Sequence, residues 1–118
     1  MNKKAYVYDT SKGFSAFIKY NYSSKLNIFS CTKKKNFSVE KITDYNVCFF
    51  VVNDMEDFFN LKRIYFDIEF FFVGSPNKLI LKKIEDLKYD DLMILDFYDS
   101  KYNILQFINI ELLSKSIL

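Results

Sequence analysis

Two hydrophobic rhythms alternate along this chain. Short β-rich runs occur at residues 4–8 (KAYVY), 26–32 (LNIFSCT), 46–52 (NVCFFVV), 68–74 (IEFFFVG) and 91–97 (DLMILDF). Between them apolar residues fall at helical spacing. Phe14, Phe17 and Ile18 stand at i, i+3 and i+4; Phe58, Leu61 and Tyr65 at i, i+3 and i+7; Ile80, Ile84 and Leu87 at i, i+4 and i+7. A short helical piece is expected around Phe37 to Ile42, and a last helix from about Lys101 to the C-terminus. Switching between the two periods is the mark of βαβ units. The run VCFFVV is apolar on both faces, which suits a strand in the middle of a parallel sheet with helices above and below it.

Helix-start chemistry falls where the rhythm changes. DTSKGF offers Asp9, Thr10 or Ser11 as a cap. NDMED offers Asp54, with Glu56 and Asp57 in the first turn, where carboxylates favour the helix dipole. GSPNK places Gly74 at a strand exit, Ser75 at a cap and Pro76 at the first helical position. DSKYN offers Asp99 or Ser100. Five βα units in 118 residues exclude a closed eight-stranded barrel, which needs about twice the chain. An open, doubly wound parallel sheet remains, as a single α/β domain over residues 1–118.

Half the residues are hydrophobic, enough for a sizeable core. The 17 basic and 15 acidic residues give a net charge of +2, so no nucleic-acid partner is expected. The run Lys33-Lys34-Lys35 reads as a solvated loop. No segment approaches a membrane span. The lysines near the N-terminus precede no long apolar region, so a cytoplasmic location is the default. The chain has no histidine, which removes histidine general acid-base catalysis and histidine-containing zinc sites. Cys31 and Cys48 read as small apolar residues. No cofactor and no enzymatic activity are expected.

The order and lengths of the elements resemble a response-regulator receiver domain, the flavodoxin-like (βα)5 module of bacterial two-component signalling. Three stretches carry the likeness: AYVYDTSKGFSAFIKY for the opening strand, acidic loop and first helix; DYNVCFFVVND for the third strand; and IEFFFVGSPN for the fourth. The resemblance implies strand order 2-1-3-4-5, which would put the first strand between those of Cys31 and Cys48, about 9.6 Å between strand axes and too far for a disulfide.

The resemblance also locates a pocket, and there the chain departs from the family. The acidic pair reads Tyr8-Asp9. The phosphoacceptor position falls on Val51, or on Val52 with a one-residue shift, and valine cannot accept a phosphoryl group. The hydroxyl position aligns with Gly74, with Ser75 beside it, and the lysine position near Leu95. One aligned carboxylate does not meet the octahedral oxygen set of magnesium, so magnesium binding is not expected. Asp9, Val51, Asp54, Gly74 and Ser75 are therefore vestigial-pocket candidates. A rearranged acidic pocket using Asp9 and Asp54 as phosphoacceptor is the alternative. A flavin or small-ligand site is the third reading, for which DTSKGFS offers hydroxyls and one glycine as a phosphate cradle.

The last helix carries two apolar stripes. Ile104, Leu105, Ile108 and Leu112 form one; Phe107, Ile110, Leu113 and Ile117 form the other, nearly opposite at about 100° per residue. Neighbouring helices could cover the second stripe. The expectation is instead a protein interface for a partner or a second copy, on a surface that receiver domains commonly use. The function expected is a non-catalytic, phosphorylation-independent receiver-like interaction module.

Overall fold

The computed structural model describes residues 3–38, 42–65 and 70–118. Five strands, β1 (Lys3–Tyr8), β2 (Leu26–Cys31), β3 (Val47–Val51), β4 (Phe71–Gly74) and β5 (Leu92–Leu95), form one sheet in the order β2-β1-β3-β4-β5. Every pairing is parallel. Four α-helices lie among the described residues: α1 (Gly13–Tyr22), α2 (Met55–Ile64), α3 (Lys78–Asp86) and α4 (Lys101–Ser114). The fold is a flavodoxin-like, doubly wound α/β sheet, as the alternating rhythm and the family resemblance together lead one to expect. The middle of the helix expected around Phe37 to Ile42, residues 39–41, lies outside the described residues. Before them the chain makes a 3-10 turn at Lys34–Asn36 and is extended at Phe37.

The sheet separates two apolar cores. One side gathers Tyr6, Tyr8, Cys48, Phe50, Phe71 and Val73 against Phe58, Leu61 and Ile64 of α2 and Ile80 and Ile84 of α3. The other gathers Ala5, Val7, Val47, Phe49 and Phe72 against Ile18 and Tyr22 of α1 and Ile108 and Leu112 of α4. Every residue of β3 is buried, which is why its sequence has no polar alternation. Aromatic pairs bind the strands laterally. Tyr8 stacks on Phe50 at 4.6 Å on one side, and Phe49 on Phe72 at 4.9 Å on the other; each pair consists of register partners. Such pairs add about 0.5–1.5 kcal/mol beyond the area they bury. Cys31 and Cys48 are free and buried, with β1 between their strands.

The helix starts follow the sequence in three cases, one of them by an indirect route, and depart from it at α3. Asp54 caps α2 by accepting from the Asp57 N–H, and Ser100 caps α4 by accepting from the Asn103 N–H. For α3 the cap is Asn77, which accepts from Leu79 and Ile80; Ser75 lies in the loop before it. At α1 the residue in the cap position is Lys12, in the left-handed region at φ 72° and with no side-chain cap bond. Its capping is supplied from further upstream.

The two glycines carry opposite requirements. At Gly74 an added Cβ would meet the Phe97 ring at 2.7 and 2.9 Å and the Leu95 carbonyl at 3.1 Å; at Gly13 it would meet nothing within 4 Å. Gly74→Ala should therefore cost about 1–3 kcal/mol through overpacking. Gly13→Ala should gain about 0.4–1 kcal/mol by restricting the unfolded chain. Urea denaturation of the two variants checks both signs.

Candidate functional site

In a parallel doubly wound sheet the loops beyond the C-terminal strand ends form the crevice where ligands bind. Here that edge is built from the loops after β1, β2, β3, β4 and β5. The first of them holds Asp9, which is fully buried. Its Oδ2 accepts from the N–H groups of Phe14 at 2.9 Å and Ser15 at 3.2 Å. Its Oδ1 accepts from the Ser11 N–H at 3.1 Å, the Ser11 hydroxyl at 2.6 Å and the Asn53 amide at 3.3 Å. A carboxylate offers about four lone-pair sites, so five donors leave none for a cation or an incoming ligand. Asp9 is the cap of α1, acting from four residues before the helix. It puts an internal anion where the first-turn N–H groups would otherwise attract an external phosphate. This removes the phosphate cradle that a flavin site in DTSKGFS would need.

Asn53 joins this loop to a second buried carboxylate. Its side-chain amide reaches Asp9 and the Thr10 hydroxyl, while its backbone N–H donates to Asp57 Oδ2 at 3.0 Å. The Tyr8 hydroxyl donates to Asp57 Oδ1 at 2.7 Å. Asp57 is fully buried. Burial raises its carboxyl above the ordinary 3.8, against the hydrogen bonds from Tyr8 and Asn53, which lower it. Burial, and then the Asp57 hydrogen bond, push the Tyr8 phenol well above its ordinary value. Sequence reading took Asp57 only as a first-turn helix charge. The helical period could have found it: Asp57 stands one residue before Phe58 and four before Leu61, on the flank of the buried stripe.

Asp54 faces outward. Its Oδ1 caps α2 by accepting from the Asp57 N–H at 2.9 Å, and its Oδ2 pairs with Lys34. Lys34 also reaches Glu56 at 3.1 Å. Burial alone would raise the Asp54 carboxyl; the hydrogen bonds from Lys34 and from the Asp57 N–H more than reverse this and hold it below its ordinary value. Lys34 is thus not merely part of a solvated loop. It brings a cation to the acidic loop from the end of β2, although the position near Leu95 supplies none.

The remaining pocket candidates are apolar or internally bonded. Val51 ends β3 at 2% exposure, in register with Gly74. The Phe97 ring lies directly over Gly74, so an aromatic side chain fills the space above the β4 exit. Ser75 is fully buried; its hydroxyl donates to the Val52 carbonyl at 2.6 Å and accepts from the Asn77 N–H at 3.1 Å. It ties β3 to β4 and is not the helix cap that its place before proline suggested. Among the described residues no group of three or more Asp, Glu, Cys or His side chains is placed to hold a metal ion.

The second stripe of α4 divides. Ile110 and Leu113 are 62% and 61% exposed, and Phe107 is 37% exposed with its ring edge on Phe72 at 6.2 Å. Ile117 does not belong with them: it is 8% exposed and packs in the core beneath α4. The helix ends at Ser114, and Ser116 is left-handed at φ 59°. The N–H groups of Ile117 and Leu118 both donate to the Leu112 carbonyl, a reversal that folds the C-terminus back onto the sheet. Extending the 100° period past Ser114 misplaced this residue, which its own domain buries. No helix among the described residues is long and apolar enough to cross a membrane. No family model matches the chain, and no curated protein is significantly similar to it.

The two acidic side chains after β3 give opposite pH dependences. Asp57 is raised in the folded state, so its contribution to stability is fully present below pH 3.8 and is lost as pH rises through its elevated folded value. Asp54 is lowered, and its contribution is lost as pH falls through its folded value; its side chain is 45% exposed, and solvent screening keeps this effect small. The unfolding free energy of the unaltered chain minus that of Asp57→Asn should therefore fall as pH rises from 3.8 through the elevated folded value. Urea denaturation across that range measures it, and a pH-independent difference would contradict the assignment.

Proposed function

We propose that the chain is a non-catalytic, phosphorylation-independent receiver-like module that works through protein contacts, in the cytoplasm of a bacterial two-component pathway. One observation carries this reading: the carboxylates at the C-terminal sheet edge are engaged by the protein's own donors, and the acceptor position is a buried valine. Asp9 is held by Ser11, Phe14, Ser15 and Asn53, and Asp57 by Tyr8 and Asn53. A phosphoacceptor needs a carboxylate oxygen free to attack and a cation to neutralise the transferred group. Asp54 is more exposed than Asp9 and Asp57, and it is spent on capping α2 and pairing with Lys34. The exposed Ile110 and Leu113 on α4 favour contact with a protein partner or a second copy as the working mode.

The alternative, an acceptor role for Asp54, draws on the same Lys34 contact, because a lysine beside a carboxylate is also what phosphoryl transfer uses. Incubation with acetyl phosphate and magnesium separates the two. The intact mass should stay unchanged. Gain of one phosphoryl group, lost again in Asp54→Asn or Asp9→Asn, would overturn the proposal.

A further inference from the structure

Beside the polar network lies a cavity of about 350 Å³ at the C-terminal edge of the sheet, between the first turns of α1 and α4. Val51 lines it, together with Phe14, Phe97, Ser11, Asp99 and Lys101. Its volume is at the small end of the range for ligand pockets, and its lining is of the expected kind, mostly apolar with a few polar groups. The Phe14 and Phe97 rings stand 5.1 Å apart between centroids at 42°, which offers both a ring face and a ring edge to a flat guest. The place is the switch point of the winding, where β1 leads out to one side of the sheet and β3 to the other.

The polar groups at the rim discriminate between guests. The α1 first-turn N–H groups are consumed by Asp9. Asp99 Oδ1 accepts from the Ser100 N–H and the Asn103 amide, both at 2.8 Å. Lys101 is exposed and pairs with no carboxylate among the described residues. It stands at the first position of a 14-residue helix whose start is already capped by Ser100 and flanked by the Asp99 carboxylate, so the Lys101 ammonium is the positive group the cavity offers. The Ser11 hydroxyl donates its proton to Asp9 and keeps acceptor capacity toward the cavity.

We propose that this cavity binds a small flat aromatic acid, with the ring against Phe14 and Phe97 above Val51 and the acid group on Lys101. The site is independent of any contact through Ile110 and Leu113. It would give an interaction module a chemical input at the strand end where the family resemblance places a phosphoryl group.

The test uses the full chain and two probes, anilinonaphthalene sulfonate and the uncharged phenylnaphthylamine, followed by fluorescence and by amide chemical shifts. The sulfonate should saturate one site and shift Ser11, Gly13, Phe14 and Lys101. Lys101→Ala should weaken the sulfonate about fivefold, the size of one partly exposed ion pair, and leave the uncharged probe unaffected. Gly13→Leu should exclude both probes, because Gly13 also lines the cavity and a Cβ there has open space before it. Shifts confined to Ile110 and Leu113, equal sulfonate binding by Lys101→Ala, or no saturable binding would overturn the proposal.

Discussion

The Asp9 carboxylate is the interaction on which the C-terminal edge of this fold depends. A parallel sheet leaves its strand ends and helix starts facing one another, with unpaired N–H groups at each helix. Asp9 answers this at the point where β1 turns into α1. It receives two first-turn N–H groups of the helix, the N–H and hydroxyl of Ser11, and the Asn53 amide from the far side of the β1/β3 pair. The Lys12 N–H donates to the Asp9 carbonyl at 3.2 Å, and Lys12 itself is held at φ 72°, a conformation costing about 1–2 kcal/mol outside glycine. Charge-assisted hydrogen bonds, roughly twice as strong as neutral ones, offset that strain.

From this anchor the network runs through Asn53 to Asp57 and Tyr8, while Lys34 and Asp54 close it at the surface. The same residue types at the same sheet edge could form an acid pocket in another protein. What differs here is where the lone pairs point. Asp9 and Asp57 accept from backbone and side-chain donors inside the fold, Ser75 joins β3 to β4, and Phe97 covers Gly74. Among the described residues, a cavity lies at the edge on the α1/α4 side, where it is largely aromatic and apolar with Lys101 at its mouth.

Much of the fold was legible because burial dictates it. β3 must be apolar throughout to lie mid-sheet, and the stripes of α2 and α3 follow from one buried face each. Asp9 was among the cap candidates for α1, but the way it caps was harder to read. Asp9 reaches over a left-handed Lys12, and no local cap pattern encodes that reach. Lys34 was obscure for a similar reason. Its partner is 20 residues away, on a loop that comes close only once β2 and β3 flank β1. Ile117 shows the reverse failure: the helical period was extended beyond the helix, and the left-handed Ser116 returns the chain to the core. Asn77 displaced Ser75 as the α3 cap because the Ser75 hydroxyl is drawn into the sheet by the Val52 carbonyl.

The unfolding free energy of Asp9→Asn measures the central claim most directly. An amide keeps the size of the carboxylate but turns a donor toward other donors and removes the charge that holds them. If Asp9 is an architectural anion, the variant should lose about 2–3 kcal/mol in urea denaturation at neutral pH. A functional acid pocket behaves oppositely, since neutralising a carboxylate kept for function commonly raises stability. A variant as stable as the unaltered chain, or more stable, would contradict the account.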